Sequence, residues 1–234
     1  MRGNSESGHS SLPPDLLPTH LRGLIPREEF DYQTLIQGLR GYASPRDKIT
    51  ALLRKGVVVR VKKGLYVFGP AFRRRAFSRE VLANLLYGPS YISLEYALQH
   101  HGLIPEAVET LTSVTTGRSR QFRTPLGAFT YRMISLRAFR TGVDLIQGEG
   151  GSSYLMATKE KALADKLVAE RGLRVRSVSE AKQYLLADLR IPPGELARFD
   201  IQALERIASS YGSRRLSFLA KLVAEVQLQR GGRV

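Results

Sequence analysis

The stretch Ser44-Pro45-Arg46-Asp47-Lys48-Ile49-Thr50-Ala51-Leu52-Leu53-Arg54-Lys55-Gly56-Val57-Val58-Val59-Arg60-Val61-Lys62-Lys63-Gly64-Leu65-Tyr66-Val67-Phe68-Gly69 decides how this chain is read. Ser44 suits an N-cap, Pro45 fits the first helical position, and Asp47 places a carboxylate in the first turn. Ile49, Leu52 and Leu53 then form one apolar stripe, and Gly56 ends the helix. Val57–Val61 and Leu65–Phe68 are two β-type runs, joined by Lys62-Lys63-Gly64 as a tight hairpin turn. Upstream, Phe30, Leu35, Ile36 and Leu39 predict a helix over Phe30–Tyr42 that ends near Gly41. Helix, short turn, helix and a hairpin with a basic tip, in that order, make the pattern of a winged helix-turn-helix.

Charge accumulates on the same stretch. The 234 residues contain 36 Lys+Arg against 21 Asp+Glu, a net +15. Between Arg40 and Glu80 twelve bases face only Asp47 and Glu80, so +10 of that excess falls in this one stretch. A second run, Arg118 to Arg140, holds six arginines and no acid. Localised excess of this kind is an electrostatic footprint for phosphate; the plainer alternative is a solvated face inflated by arginine-rich codon usage.

Hydrophobic content of 43% supports a buried core. The absence of Cys excludes disulfide scaffolds, thiolate metal sites and Cys nucleophiles. No apolar run approaches a membrane span and residues 1–11 lack the apolar core of a signal peptide, which predicts a cytoplasmic protein. Those residues read as a flexible tail, followed by a Pro-punctuated entry in which Leu12, Leu16, Leu17, Leu21 and Leu24 form a helical turn or two.

Beyond Gly69-Pro70 the pattern changes, which predicts domains over 12–72 and 73–234. Helices are expected over Phe77–Tyr87, capped by Ser78, and Ser93–His101. Strands follow over Leu111–Thr116, Gln121–Arg123, Ala128–Ile134, Val143–Ile146 and Tyr154–Ala157. Four more helices span Lys159–Arg171 (capped by Thr158), Ser179–Arg190 (capped by Ser177 or Ser179), Asp200–Tyr211 and Ser213–Arg230. The fold class is therefore α+β: an N-terminal winged helix-turn-helix, then a larger mixed domain with a helical C-terminal part.

With Ile49 inward, Asp47, Thr50, Ala51 and Arg54 point outward, flanked by Lys48 and Lys55. Arg46 near the helix start and Arg54 suit guanine O6 and N7, while Ala51 and the Thr50 methyl suit a thymine methyl. Arg60, Lys62 and Lys63 on the wing suit phosphates or a minor groove. The alternative is a degenerate winged helix that docks protein, its charges merely solvated.

No catalytic set emerges. His9, His20, His100 and His101 are too few and too scattered for a metal site, and His100-His101 closes a helix, where His suits the dipole. No Gly-rich loop has P-loop or dinucleotide spacing, and Gly148-Glu149-Gly150-Gly151 reads as a hairpin turn. A metal nuclease built on Asp144, Glu149, Glu160 and Asp165, or on Glu180-Ala181-Lys182, is the weaker alternative. Glu160 and Asp165 alternate with Lys159, Lys161 and Lys166, as on a salt-bridged exposed helix face, and Glu180 sits in a helix's first turn. No metal, cofactor or catalysis is expected.

Several motifs in order give the chain a resemblance. The Ser44–Gly69 segment is followed by Tyr91-Ile92-Ser93-Leu94-Glu95-Tyr96-Ala97-Leu98-Gln99-His100-His101-Gly102-Leu103-Ile104-Pro105 and by Thr112-Ser113-Val114-Thr115-Thr116-Gly117-Arg118. Thr124-Pro125-Leu126-Gly127 then leads to Tyr131, and Ala157-Thr158-Lys159-Glu160-Lys161-Ala162-Leu163-Ala164-Asp165 closes the series. Together they resemble the AbiEi family of antitoxins from type IV toxin–antitoxin systems, known from abortive phage infection, over roughly residues 30–170. The resemblance implies a winged helix that represses its own operon by binding inverted repeats in the promoter. It also implies a C-terminal domain that counters a nucleotidyltransferase toxin of the AbiEii type without necessarily holding it in a stable complex. Inverted repeats imply two copies per operator, monomers in solution or a dimer on DNA. Arg118, Arg120 and Arg123 either extend the DNA surface or serve antitoxicity. A stand-alone regulator with no toxin partner remains the alternative.

Overall fold

A computed structural model describes residues 17–231 and divides the chain into two compact units, the first up to Ser78 and the second from Arg79. The tail read over residues 1–11, with Leu12 and Leu16, lies outside the described residues. The division falls six residues beyond the boundary expected between 72 and 73. Arg73–Ser78 belongs with the first unit because the Arg74 amide donates to Glu28 Oε1 at 3.2 Å and the Ser78 amide to Glu29.

The first unit runs α1 (Leu17–Leu24), β1 (Glu29–Asp31), α2 (Tyr32–Gly38), α3 (Pro45–Arg54), β2 (Val58–Lys62) and β3 (Leu65–Phe68). Its sheet is antiparallel in the order β1-β3-β2. The helix expected from Phe30 does not start there. Glu29–Asp31 pairs with β3, Phe30 facing Tyr66, and the Asp31 side chain then accepts the Thr34 amide at 2.8 Å to cap α2. Leu21, Ile25, Phe30, Leu35, Leu39, Ile49, Leu52, Val57, Val58 and Phe68 build the core. Inside it Arg22 reaches Glu28 at 2.5 Å, donates to the carbonyls of Ile25 and Arg27, and lies 4.4 Å from the Phe68 ring.

The second unit comprises α4 (Arg79–Leu86), β4 (Ser90–Ile92), α5 (Leu94–His100), β5 (Leu111–Thr115), β6 (Arg120–Thr124), β7 (Gly127–Met133), α6 (Leu136–Phe139), β8 (Val143–Gln147), β9 (Ser153–Ala157), α7 (Lys159–Ala169), α8 (Val178–Gln183), α9 (Pro193–Leu196), α10 (Ile201–Tyr211) and α11 (Arg214–Gly231). Six strands form one mixed sheet, β6-β7-β5-β4-β9-β8, with β5–β7 and β4–β9 parallel. The described residues are thus a mixed α+β fold, and none of their helices is long and apolar enough to cross a membrane. α4 and α5 cover opposite faces. Tyr131 of β7 donates to Ala83 O of α4 at 2.7 Å, while Thr112, of opposite parity in the β5–β7 register, binds Ser93 O and the Tyr96 amide of α5.

Thr158 caps α7, Ser177 caps α8 and Asp200 caps α10, each accepting the amide three residues on. The helix expected to continue to Arg190 instead widens into a π-type turn at Tyr184–Asp188, and β4, α6 and α9 are elements that local pattern did not announce.

One expectation reverses. Glu160, Lys161 and Asp165 are not on an exposed face: all three are buried, Lys161 and Asp165 completely. Lys161 Nζ lies 2.6 Å from Asp165 Oδ1 and 3.0 Å from the Tyr211 hydroxyl. Asp165 also accepts from the hydroxyls of Tyr211, Ser93 (2.6 Å) and Tyr91 (3.3 Å). Burial lowers the Lys161 pKa, an effect that Asp165 partly offsets, and burial beside Asp165 pushes the Tyr91 and Tyr211 hydroxyls well above the ordinary phenol. Ser93, expected to start a helix, stands at the N-cap position of α5 without capping it, because its hydroxyl is spent on Asp165. Leu94, which follows, sits at φ 60°, a left-handed conformation that costs a non-glycine residue about 1–3 kcal/mol.

Asp165→Ala therefore leaves a buried ammonium unpaired and is expected to cost about 3–5 kcal/mol in denaturant unfolding. Glu195→Ala, which breaks the exposed pair with Arg198, is expected to cost under about 1 kcal/mol. Without Asp165 the folded Lys161 pKa drops further below the unfolded value. The unfolded state then binds more protons, so the variant's deficit is expected to narrow as pH rises toward the lysine range. A deficit independent of pH there contradicts the assignment.

Candidate nucleic-acid interface

α3 is held by Ile49 and Leu52, both buried, and turns the rest of its surface outward. Arg46, Asp47, Thr50 and Arg54 are exposed, as is Lys55 at the C-cap, while Ala51 is half-buried. Lys48 is half-buried too, its ammonium 5.0 Å from the centre of the Tyr42 ring. The Thr50 hydroxyl donates to Arg46 O at 3.2 Å, which commits its proton to the helix rather than to a partner. Ser44 occupies the N-cap position as its sequence context predicts, yet its side chain makes no capping bond; only its carbonyl accepts, from the Lys48 amide.

The hairpin is fixed to this helix by the shared core of Ile49, Leu52, Val58 and Phe68 and by a close backbone approach. The Gly69 amide donates to Val57 O at 2.9 Å, and a Cβ at Gly69 would meet the Gly56 carbonyl oxygen at 1.8 Å. Only glycine admits that approach. At the tip, Gly64 takes φ 89° and its carbonyl accepts the Tyr32 amide at 3.0 Å, so the turn is tied to the start of α2. The register slips between Arg60 and Lys62, a bulge that sharpens the local twist. Val61 turns into the core while Arg60 and Lys63 stay exposed. Lys62 is half-buried, and that burial lowers its pKa.

Not every base of the Arg40–Glu80 run joins this surface. Arg75 acts electrostatically on Glu29 and partly offsets that buried acid, while Arg74 and Arg75 both lie near enough to Arg22 to repel it. Burial raises the Glu29 pKa, and Arg75 partly counters it.

In the second unit Arg118, Arg120 and Arg123 are all exposed, but they do not share a face. Arg118 lies in the turn before β6. Arg120 stands over the Tyr87 ring at 5.6 Å, on the side of Phe122 and Tyr131. Arg123, of opposite parity on β6, points to the other side, which it shares with Thr130 and Arg132 of β7. The grouping by proximity in sequence missed this alternation, and it missed Arg132 as the residue that shares a face with Arg123.

Among the described residues no three of His, Asp and Glu come together as metal ligands. Asp144 and Glu149 are exposed, Glu160 accepts the Asp200 amide at 2.9 Å, and Glu180 accepts the Arg176 amide at 2.5 Å. Burial, with His101 beside it, lowers the His100 pKa, and His101 Nε2 lies 2.8 Å from Ala157 O. Glu149–Gly151 forms the turn between β8 and β9.

Compared with known proteins, the chain matches no protein-family model. No curated protein matches it either.

Because Gly69 sets the hairpin against α3, Gly69→Ala is expected to lower the unfolding temperature of the first unit far more than Gly64→Ala, which strains a turn open to solvent. Lys63→Ala, on an exposed side chain, is expected to change stability by no more than about 0.5 kcal/mol. Thermal unfolding followed by circular dichroism ranks the three, and a benign Gly69→Ala removes the proposed constraint.

Proposed function

We propose that this protein is a DNA-binding antitoxin and autorepressor of the AbiEi kind, bound to inverted repeats of its own promoter through a winged helix in the first unit. The observation that carries the reading is the outer surface of α3: Arg46, Thr50 and Arg54 exposed along one helix with Asp47 the only acid, and Arg60 and Lys63 exposed on the adjoining hairpin. The element order α1–β1–α2–α3–β2–β3 with a three-stranded sheet supports it, since a winged helix uses its third helix for the major groove and its hairpin as the wing. The motifs that resemble the family support it too.

In this reading Arg46 and Arg54 approach guanine edges and the Thr50 methyl a thymine. Lys48, Lys55, Arg60, Lys62 and Lys63 hold phosphates. Arg46, Thr50 and Arg54 select sequence in this reading because they stand on the outward face of a helix whose backbone is fixed by Ile49 and Leu52, whereas Lys48 and Lys55 flank that face. Side chains at a hairpin tip supply charge without selection. The second unit carries the antitoxic role against a nucleotidyltransferase toxin, and the protein binds rather than turns over a substrate, in the cytoplasm and without metal or cofactor.

Arg54→Ala is expected to weaken binding by about 1–3 kcal/mol on the cognate operator and far less on scrambled duplex. Lys63→Ala is expected to weaken both alike and to flatten the slope of log K against log salt by about one unit. Anisotropy titrations at several salt concentrations separate the two; identical behaviour of the variants removes the division between reader and holder.

A further inference from the structure

The second unit holds a groove of about 480 Å³ that the proposed function does not use. Its floor is the β5–β7 face that carries Thr112, Thr130 and Arg132, and its rim is the start of α5 and the C-terminal turn of α7 with Arg171 just beyond. The volume is that of a site for one small organic molecule.

The charges of the groove fall into two sets. Lys166 is spoken for: its ammonium lies 2.8 Å from Glu95 Oε1 and is also paired with Glu170. Burial alone would lower its pKa, but these two carboxylates raise it overall, so it stays a cation; the trio carries a formal net charge of −1, which the +2 of the groove's two arginines outweighs. Arg132 and Arg171 are different. Each lines the groove with an exposed side chain whose guanidinium makes no hydrogen bond or ion pair among the described residues. Thr110 and Thr130 add hydroxyls that have no hydrogen-bond partner among the described residues, whereas Thr112 is already engaged with α5. Leu94, Val108 and Ala169 supply apolar wall.

Two further features suit an anion. The carbonyls of Leu167 and Glu170, at the negative end of α7, are covered by the Arg215 guanidinium at 3.0 and 3.4 Å. Leu94, one wall of the groove, is the buried left-handed residue, and such strain recurs where a site must be shaped.

We propose that this groove binds a phosphate monoester of mononucleotide size, with Arg132 and Arg171 on the phosphate, Thr110 and Thr130 on the sugar or phosphate oxygens, and the organic part against Leu94, Val108 and Ala169. Guanidinium pairs match phosphate oxygens bidentately. The hydroxyls accept or donate as the ester requires, and the apolar wall favours an ester over the bare ion.

The test is calorimetric titration of the full-length protein with each of the four ribonucleoside 5′-monophosphates, their parent nucleosides, inorganic phosphate and sulfate. At least one monophosphate is expected to bind saturably, at least tenfold more tightly than its nucleoside or inorganic phosphate. Arg132→Ala and Arg171→Ala, both on exposed side chains, are each expected to weaken that binding tenfold or more, with unfolding temperature and duplex binding through α3 unchanged. Absence of saturable binding by any monophosphate overturns the proposal. So does binding that both variants leave intact, or equal affinity for sulfate and the nucleotides. Loss of duplex binding with nucleotide binding intact would count against the promoter reading instead.

Discussion

The Asp165 carboxylate is the interaction around which the second unit is organised. Four donors meet it, from Lys161 on its own helix, Tyr211 on α10, Tyr91 on β4 and Ser93 before α5. A buried charge is tolerated only when paired and hydrogen-bonded, and the three contacts from outside α7 each tie a different part of the fold to it. The arrangement extends outward. Ser93 spends its hydroxyl on Asp165 rather than on capping α5, Leu94 beside it is left-handed, and Glu95 next in sequence pairs with Lys166 at the rim of the groove. Structural core and candidate ligand site are in this sense one device, with the fully buried side chains holding the exposed ones in place.

The first unit solves a different problem, which is to present cations without burying them. Its own buried pair, Arg22 with Glu28, ties α1 to the stretch before β1; the Arg74 amide also donates to Glu28, and Arg75 acts on Glu29. Seven bases of the run, Arg46, Lys48, Arg54, Lys55, Arg60, Lys62 and Lys63, lie on α3, its C-cap and the hairpin, and the contact of Gly69 with Gly56 constrains how these elements meet. A helix carried on Ile49 and Leu52 with Arg46 and Arg54 outward is a rigid positively charged surface, while Lys62 and Lys63 sit at a turn anchored through Gly64.

What was legible in the sequence was what local chemistry determines. Pro45, Gly56 and Gly64 set the bounds of α3 and the hairpin to within a residue or two, and Thr158 and Asp200 placed helix starts as caps do. What was not legible depends on distant partners. β1 and β4 are three-residue strands that exist because β3, β5 and β9 pair with them, and nothing in Glu29–Asp31 or Ser90–Ile92 announces that by itself. The Lys161–Asp165 spacing is the spacing of a solvated i,i+4 pair; only the arrival of Tyr211 and Tyr91 in space makes it a core feature. Arg118, Arg120 and Arg123 illustrate the same limit on the functional side, since their closeness in sequence hides the alternation that sends Arg120 to Tyr87 and Arg123 to the opposite face.

The central claim is that the cationic surface of α3 recognises sequence rather than charge alone. A gel-shift titration against the DNA immediately upstream of the protein's own gene, beside a scrambled duplex of equal length, at two salt concentrations, tests it most directly. The account predicts that promoter binding survives the higher salt while binding to the scrambled duplex is lost. Equal binding to both, collapsing together as salt rises, would contradict it, because counterion release alone then accounts for all of the affinity.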